Sequence, residues 1–303
     1  MKGKTLIVVL GPTGIGKTSL AIALAQHYQT SIISADSRQF YKEMTIGTAV
    51  PTKEELKAVT HYFIQHKSIL EPYTVGDFER EALEVLQVLF ETNDIVVMAG
   101  GSGLFIDAVV QGLDTFPPID KEIREKLNRK LEEQGLPILQ TQLQELDPVY
   151  AAKVDLFNPH RVIRALEVCL NSGEPYSSFL NKNNTTRSFH TIMLGMEAPR
   201  SVVYDRINTR VDTMMAEGLL KEAKGLIEHK HLNALQTVGY KELFRYLDED
   251  CSLDDAVEEI KKNTRRFAKR QGTWFRKNQD ITWVDYDLSC NAIVEILSDK
   301  LIE

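Results

Sequence analysis

Three short apolar runs punctuate the first hundred residues, and each ends in a glycine-rich or polar cluster. Thr5–Leu10 is an unbroken apolar, β-branched run that stops at Gly11. Ser31–Ala35 is the second and leads into Asp36-Ser37-Arg38-Gln39-Phe40-Tyr41. Asp94–Ala99 is the third and leads into Gly100-Gly101-Ser102-Gly103. Runs without polar alternation predict strands buried on both faces of a sheet. Between them, Ser19–Ala25 is helix-forming, and Phe78, Ala82, Val85, Leu86 and Leu89 recur at helical spacing. Strands alternating with helices predict a parallel sheet, with ligands at the carboxyl ends of its strands. All three polar clusters follow strands, so all three are expected at one cleft.

The pattern changes near Leu113. Phe116-Pro117-Pro118 breaks it, and an amphipathic stretch runs from Lys121 to about Leu146, interrupted by Gly135-Leu136-Pro137. Asn158-Pro159-His160-Arg161 opens another helix, and residues 181–188 are polar and loop-like. Residues 114–187 therefore read as a helical insertion within an α/β core made of 1–113 and 188–303. His190–Met196 reads as a strand returning to the sheet, with helices dominating from Ser201 to about Lys277. No internal repeat or low-complexity segment interrupts this order.

The first strand-to-helix junction carries the clearest chemistry. Gly11-Pro12-Thr13-Gly14-Ile15-Gly16-Lys17-Thr18 is a complete G-x-x-x-x-G-K-T phosphate loop between a strand and a helix. Its glycines let backbone N–H groups approach phosphate oxygens, and the following helix adds its positive end. Lys17 supplies a charge, and Thr18 a hydroxyl for Mg²⁺. A ligand bearing a diphosphate or triphosphate is implied, but not what becomes of it.

Composition narrows the partners. The 303 residues are 43% hydrophobic and 26% charged, ordinary for a globular chain of one large domain or two modest ones. The formal charge of −7 confines any nucleic-acid surface to a local patch. Such a patch stands near the C-terminus. Lys261, Lys262, Arg265, Arg266, Lys269, Arg270, Arg276 and Lys277 occupy one stretch free of acids, with Phe267, Trp274 and Phe275 interleaved. This basic, aromatic stripe suits RNA contact; the alternative is a solvated helix face with Phe267 and Trp274 in the core. Cys169, Cys251 and Cys290 are few and scattered, which suits a reducing cytosol rather than a disulfide framework or zinc site. The apolar run after Met1-Lys2-Gly3-Lys4 ends inside the phosphate loop, and no segment reaches the ~20 residues of a membrane helix. A cytoplasmic chain, acting as a monomer, is expected.

Further candidates depend on context. Asp36 follows the second strand and is either a metal ligand or base, or a cap on the next helix. Ser102 in its glycine cluster is either a hydrogen-bond donor to ligand or part of a tight turn. Arg206 and Arg210 share one helix face and either clamp phosphate opposite Lys17 or pair with Asp205 or Asp212. Of the seven histidines, His27, His61, His66, His190, His229 and His231 show no metal-ligand spacing.

Taken together, the segments closely resemble the bacterial tRNA dimethylallyltransferase (tRNA isopentenyltransferase) family. The matching stretches are Gly11–Thr18, Ala35–Tyr41, Ile46–Ala49, Gly100–Phe105 and Asn158–Val168, then Arg206 and Arg210 running on to Glu217-Gly218-Leu219. Val238–Glu242 and Thr264–Arg276 complete the order. The chain departs from the family with Ser102 for Thr, Phe105 for Tyr and His160 for Gln. The resemblance implies a P-loop NTPase-like α/β fold, a parallel sheet flanked by helices, with an inserted all-helical subdomain. It implies transfer of a dimethylallyl group from dimethylallyl diphosphate to N6 of adenosine 37 in tRNAs that read codons beginning with U. Gly14, Gly16, Lys17, Thr18 with Mg²⁺, and Arg210 would then stabilise the departing diphosphate, and Asp36 would take the amine proton. Ser37, Arg38 and Gln39 would hold RNA beside Asp36, with Ser102 close to the extruded base and Arg124 also contacting tRNA. His160, Arg161, Val162, Ile163 and Arg164 would grip the anticodon stem-loop. Arg265, Arg266, Lys269 and Arg270 would meet RNA phosphates. A kinase using the same loop for ATP, an NTP-dependent RNA-binding switch, and an adenylate isopentenyltransferase acting on free nucleotide are the rival readings.

Overall fold

In the computed structural model, which describes residues 3–180 and 186–302, the chain forms two compact units. One comprises 3–111 with 187–302, the other 112–180 with 186. Five residues of the polar stretch expected at 181–188, namely 181–185, lie outside the described residues.

The first unit opens with β1 (Thr5–Leu10), α1 (Lys17–His27), β2 (Ile32–Ser34), α2 (Lys53–Ala58) and β3 (His61–Tyr62). It continues with α3 (Val75–Thr92), β4 (Ile95–Gly100) and α4 (Gly103–Gln111). The second unit holds α5 (Lys121–Gln134), α6 (Leu136–Leu146), α7 (Pro148–Ala151) and α8 (Pro159–Ser172). The chain then returns to the first unit through β5 (His190–Glu197), α9 (Arg200–Glu217), α10 (Leu219–Gly225) and α11 (Tyr240–Leu247). It closes with α12 (Leu253–Phe275), β6 (Thr282–Asp285) and α13 (Cys290–Ile302).

All strands pair in parallel, in the order β3-β2-β4-β1-β5-β6. Central β1 is buried throughout, which is why it reads as a continuous apolar run. Leu6, Val8 and Leu10 face one core with Phe40, Phe78, Leu86 and Tyr240, while Ile7 and Val9 face the other with Leu24, Leu194 and Ile207. Helix α3 starts where Thr74 and Asp77 exchange capping hydrogen bonds, and α12 where Ser252 accepts from the Asp255 N–H. Two strands were absent from the sequence reading. β3 has two residues and β6 four, too short to show a pattern.

The second unit has its own core of Leu127, Leu139, Leu143, Val162, Ile163 and Leu166. Gly135, at φ 78°, separates α5 from α6. Asn158 caps α8 and Pro159 occupies its first turn. Among the described residues, no helix of either unit is long and apolar enough to cross a membrane.

Candidate functional site

The carboxyl ends of β1, β2 and β4 open into a cleft of about 1590 Å³ in the first unit. Thr13, Gly14, Gly16, Lys17, Thr18, Asp36, Ser37, Ser102 and Arg210 line it, so the three clusters that follow strands do meet.

The phosphate loop turns on Gly14 (φ 82°) and Gly16 (φ 112°), a backbone region that favours glycine. Helix α1 begins at Lys17 with no side-chain cap. The Leu20 N–H is the first to bond back, to Gly16 O, so the first-turn N–H groups of Lys17, Thr18 and Ser19 have no acceptor within the helix. They and the helix dipole form an anion site. Ile15 is buried in the core, so only its backbone faces the loop; its carbonyl accepts from Arg206 Nη1 at 2.8 Å. Pro12 has no N–H, and its carbonyl accepts from Lys17 Nζ at 3.0 Å. Burial pulls the Lys17 ammonium down to about 8, partly offset by nearby Asp36 and reinforced by nearby Arg210.

Arg206 and Arg210 divide the work their spacing suggested. Both line the cleft, but Arg206 stacks over Tyr286 and props the loop through Ile15. Arg210 keeps solvent access, yet desolvation lowers its pKa, with Asp36 and Glu55 opposing. Asp212, one expected partner, instead pairs with Lys261 at 2.9 Å.

Asp36 caps no helix. Its Oδ1 accepts from the Arg38 N–H at 3.1 Å, closing a tight turn, and it faces the cleft between Lys17 and Arg210. The Ser102 hydroxyl accepts from Ser37 N at 3.0 Å and meets Ser37 Oγ at 3.1 Å, so it fixes Ser37 as well as facing the cleft. Arg38 and Gln39 line the cleft, and one side-chain nitrogen of each is engaged by the protein. Arg38 Nη1 donates to the carbonyls of Asn233 and Ala234, and Gln39 Nε2 to those of Thr48 and Ala49. Both therefore also anchor the cleft wall, because polar groups taken out of water need partners.

The wall formed by residues 45–49 has an anchor the sequence reading missed. Glu222 accepts the consecutive N–H groups of Thr45, Ile46 and Gly47 at 3.1, 2.9 and 2.9 Å, and the Tyr240 hydroxyl at 2.6 Å. Nothing in its local sequence distinguishes Glu222 from a surface acid. Gln271 was also missed as a functional residue; it stands in a matching stretch but carried no role of its own.

The basic stretch on α12 is less uniform than its sequence. Lys261 pairs with Asp212 and Glu258, and Lys262 with Glu259, all acids outside the stretch, so these two are not uncompensated cations. Arg265 bonds Asn208, Arg266 bonds Asn263, and Arg270 lies over Phe267. Lys269 is exposed. Phe275 is buried, whereas Phe267 and Trp274 line the cleft, each 39% exposed.

On the second unit, Arg124 and Arg164 both pair with Glu167, itself buried, and Arg164 also lies over Phe116. Val162 and Ile163 are buried in that unit's core, so their side chains are not available to RNA; helical periodicity turns them inward between His160, Arg161 and Arg164.

The parallel sheet and the uncapped loop–helix junction at its carboxyl edge define an α/β protein with an anion-binding cleft. The description "IPP transferase" fits residues 39–278, and the chain belongs to that family. It is 57% identical over 302 residues to the tRNA dimethylallyltransferase of Flavobacterium psychrophilum, covering 98% of both chains. It is 55% identical to that of Flavobacterium johnsoniae, again over 98% of both. Its fold is similar to the tRNA isopentenylpyrophosphate transferase of Bacillus halodurans (TM-score 0.73, 36% identity, 98% and 97% coverage). It is also similar to a eukaryotic dimethylallyltransferase acting on tRNA (TM-score 0.82, 27% identity, 99% of this chain and 79% of the other).

Proposed function

We propose that this chain is a tRNA dimethylallyltransferase that moves the five-carbon group of dimethylallyl diphosphate to N6 of adenosine 37. The substrates are tRNAs reading codons that begin with U. The supporting observation is one cleft lined by Lys17, Arg210 and Asp36, two cations suited to a departing diphosphate together with a carboxylate suited to the amine proton. The N6–carbon bond forms as the carbon–oxygen bond to diphosphate breaks. Charge building on that leaving group is met by the Gly14 to Thr18 backbone, Lys17 and Arg210. The proton lost by the amine passes to Asp36 and then to solvent. Adenosine 37 reaches the cleft only after leaving its stack, beside Ser37 and Ser102.

The donor set fits Mg²⁺. The Thr18 hydroxyl lies in the cleft with Asp36, and no cluster of three or more acid, histidine or cysteine ligands exists among the described residues. A cation held by Thr18 with substrate oxygens and water is the arrangement Mg²⁺ favours, and it would add neutralising charge at the diphosphate. His160, Arg161 and Arg164 of the second unit, and the α12 cations, bind the anticodon stem-loop and its phosphates.

The test is incubation with labelled dimethylallyl diphosphate and unmodified tRNA. Label in N6 of adenosine 37 supports the proposal. Phosphoryl transfer from ATP, ATP hydrolysis without transfer, or preference for free AMP as acceptor would each replace it with one of the rival readings.

A further inference from the structure

Gln271 on α12 is 7% exposed, and its amide is used at both ends. Its Oε1 accepts the Thr13 N–H of the phosphate loop at 2.9 Å, and its Nε2 donates to the Gly101 carbonyl at 2.9 Å. Thr13 and Gly101 belong to the two glycine-rich turns that follow adjacent strands β1 and β4. The fit is tight: a Cβ on Gly101 would overlap Gln271 Nε2, and would lie 3.7 Å from Lys17 Nζ. One helical turn away, Trp274 donates Nε1 to Asp107 at 3.0 Å and leaves no room for a Cβ on Gly103. The same face of α12 therefore seats against both ends of the second turn, and Gln271 alone of these contacts reaches the phosphate loop as well.

We infer that Gln271 is a positioning residue for the transfer step, setting the diphosphate-holding loop against the turn that carries Ser102. It touches neither the reacting carbon nor the amine in this assignment, which rests on the reading above. The phosphate loop fixes the departing group; Ser102, through Ser37, fixes the wall beside Asp36. One amide tie between them sets the separation of donor and acceptor, where a displacement of about 1 Å costs roughly a hundredfold in rate. Only a carboxamide meets both demands, an acceptor toward Thr13 and a donor toward Gly101. A thioether of similar length meets neither. A carboxylate meets the first but sets a negative oxygen against the Gly101 carbonyl.

The experiment compares Gln271→Met and Gln271→Glu with the parent chain in single-turnover transfer to tRNA at saturating donor, alongside tRNA affinity and melting temperature. Both variants are expected to bind tRNA within about twofold of the parent and to lose at least tenfold in rate. The Gln271→Glu rate, divided by the parent's, is expected to climb on acidification, because protonation restores a donor toward Gly101; the Gln271→Met ratio stays flat. Parent-like rates in both variants, or a Gln271→Glu ratio that does not move with pH, overturn the positioning role. A parent chain that transfers no label to tRNA removes the activity reading instead.

Discussion

Lys17 offers the most quantitative test of how the cleft holds diphosphate. In the free chain, burial lowers its pKa from 10.5 to about 8, against the pull of Asp36. A bound diphosphate supplies the counter-charge that burial withholds, so the pKa returns toward its ordinary value in the complex. The sign follows from linkage. The charged ammonium favours binding, so affinity is complete below about pH 8 and falls tenfold per unit as pH rises toward 10.5. From about pH 7 to about pH 9 the protonated fraction of the free chain drops from roughly nine-tenths to roughly one-tenth. Affinity should fall about tenfold, or ~1.4 kcal/mol. The ligand's last phosphate ionisation lies near pH 6 and contributes little over this range. Calorimetric titration with dimethylallyl diphosphate, in buffers of different ionisation enthalpy, reads both the affinity and the accompanying proton uptake, expected to be about 0.9 per site at the alkaline end. Lys17→Arg, whose charge does not titrate here, should flatten the profile. A constant affinity across the range, or binding without proton uptake, would refute a desolvated Lys17 as the diphosphate's partner.

Other outcomes follow from the same geometry. Asp36→Asn keeps an oxygen for the Arg38 N–H but cannot accept the amine proton, so single-turnover transfer should drop about 10²–10⁴-fold with tRNA affinity retained; a near-parent rate removes Asp36 from that role. Neutralising Arg265, Arg266 and Lys269 together should reduce the slope of log affinity for tRNA against log salt by about 2, and an unchanged slope would turn this helix face away from RNA. Gly100→Ala would drive a Cβ into the Ala35 carbonyl, a backbone atom that cannot rotate aside. Denaturant unfolding should show a loss of about 1–3 kcal/mol; a parent-like midpoint would mean that β2 and β4 can part at that point.

The sheet was legible in sequence where strands are central, because β1 and β4 have no polar face to break their apolar runs. The edge strands β3 and β6 were not, since two to four residues carry no period. The cleft was legible as a convergence of clusters that follow strands, but the duties within it were not. Arg38 and Gln39 stand beside Asp36 in sequence like ligands, yet their partners lie on backbone carbonyls that only the fold brings near. The α12 cations looked uncompensated because Asp212, Glu258 and Glu259 fall outside the stretch, the two glutamates a helical turn earlier and the aspartate on α9. Glu222 had no local signal, and Gln271 none beyond its place in a matching stretch, because each acts on backbone groups far away in sequence.

The Glu222 arrangement bears on which anions the cleft will accept. Three successive amide hydrogens curled around one point make a natural cradle for phosphate, and here an internal carboxylate already sits in it, with the Tyr240 hydroxyl locked on as a fourth donor. Burial, reinforced by Glu222, also lifts the Tyr240 phenol pKa far above its usual value, so that donor stays protonated at any physiological pH. Those three amides are thereby occupied by the protein's own carboxylate, whereas the first-turn N–H groups of α1 stay open to an oxyanion.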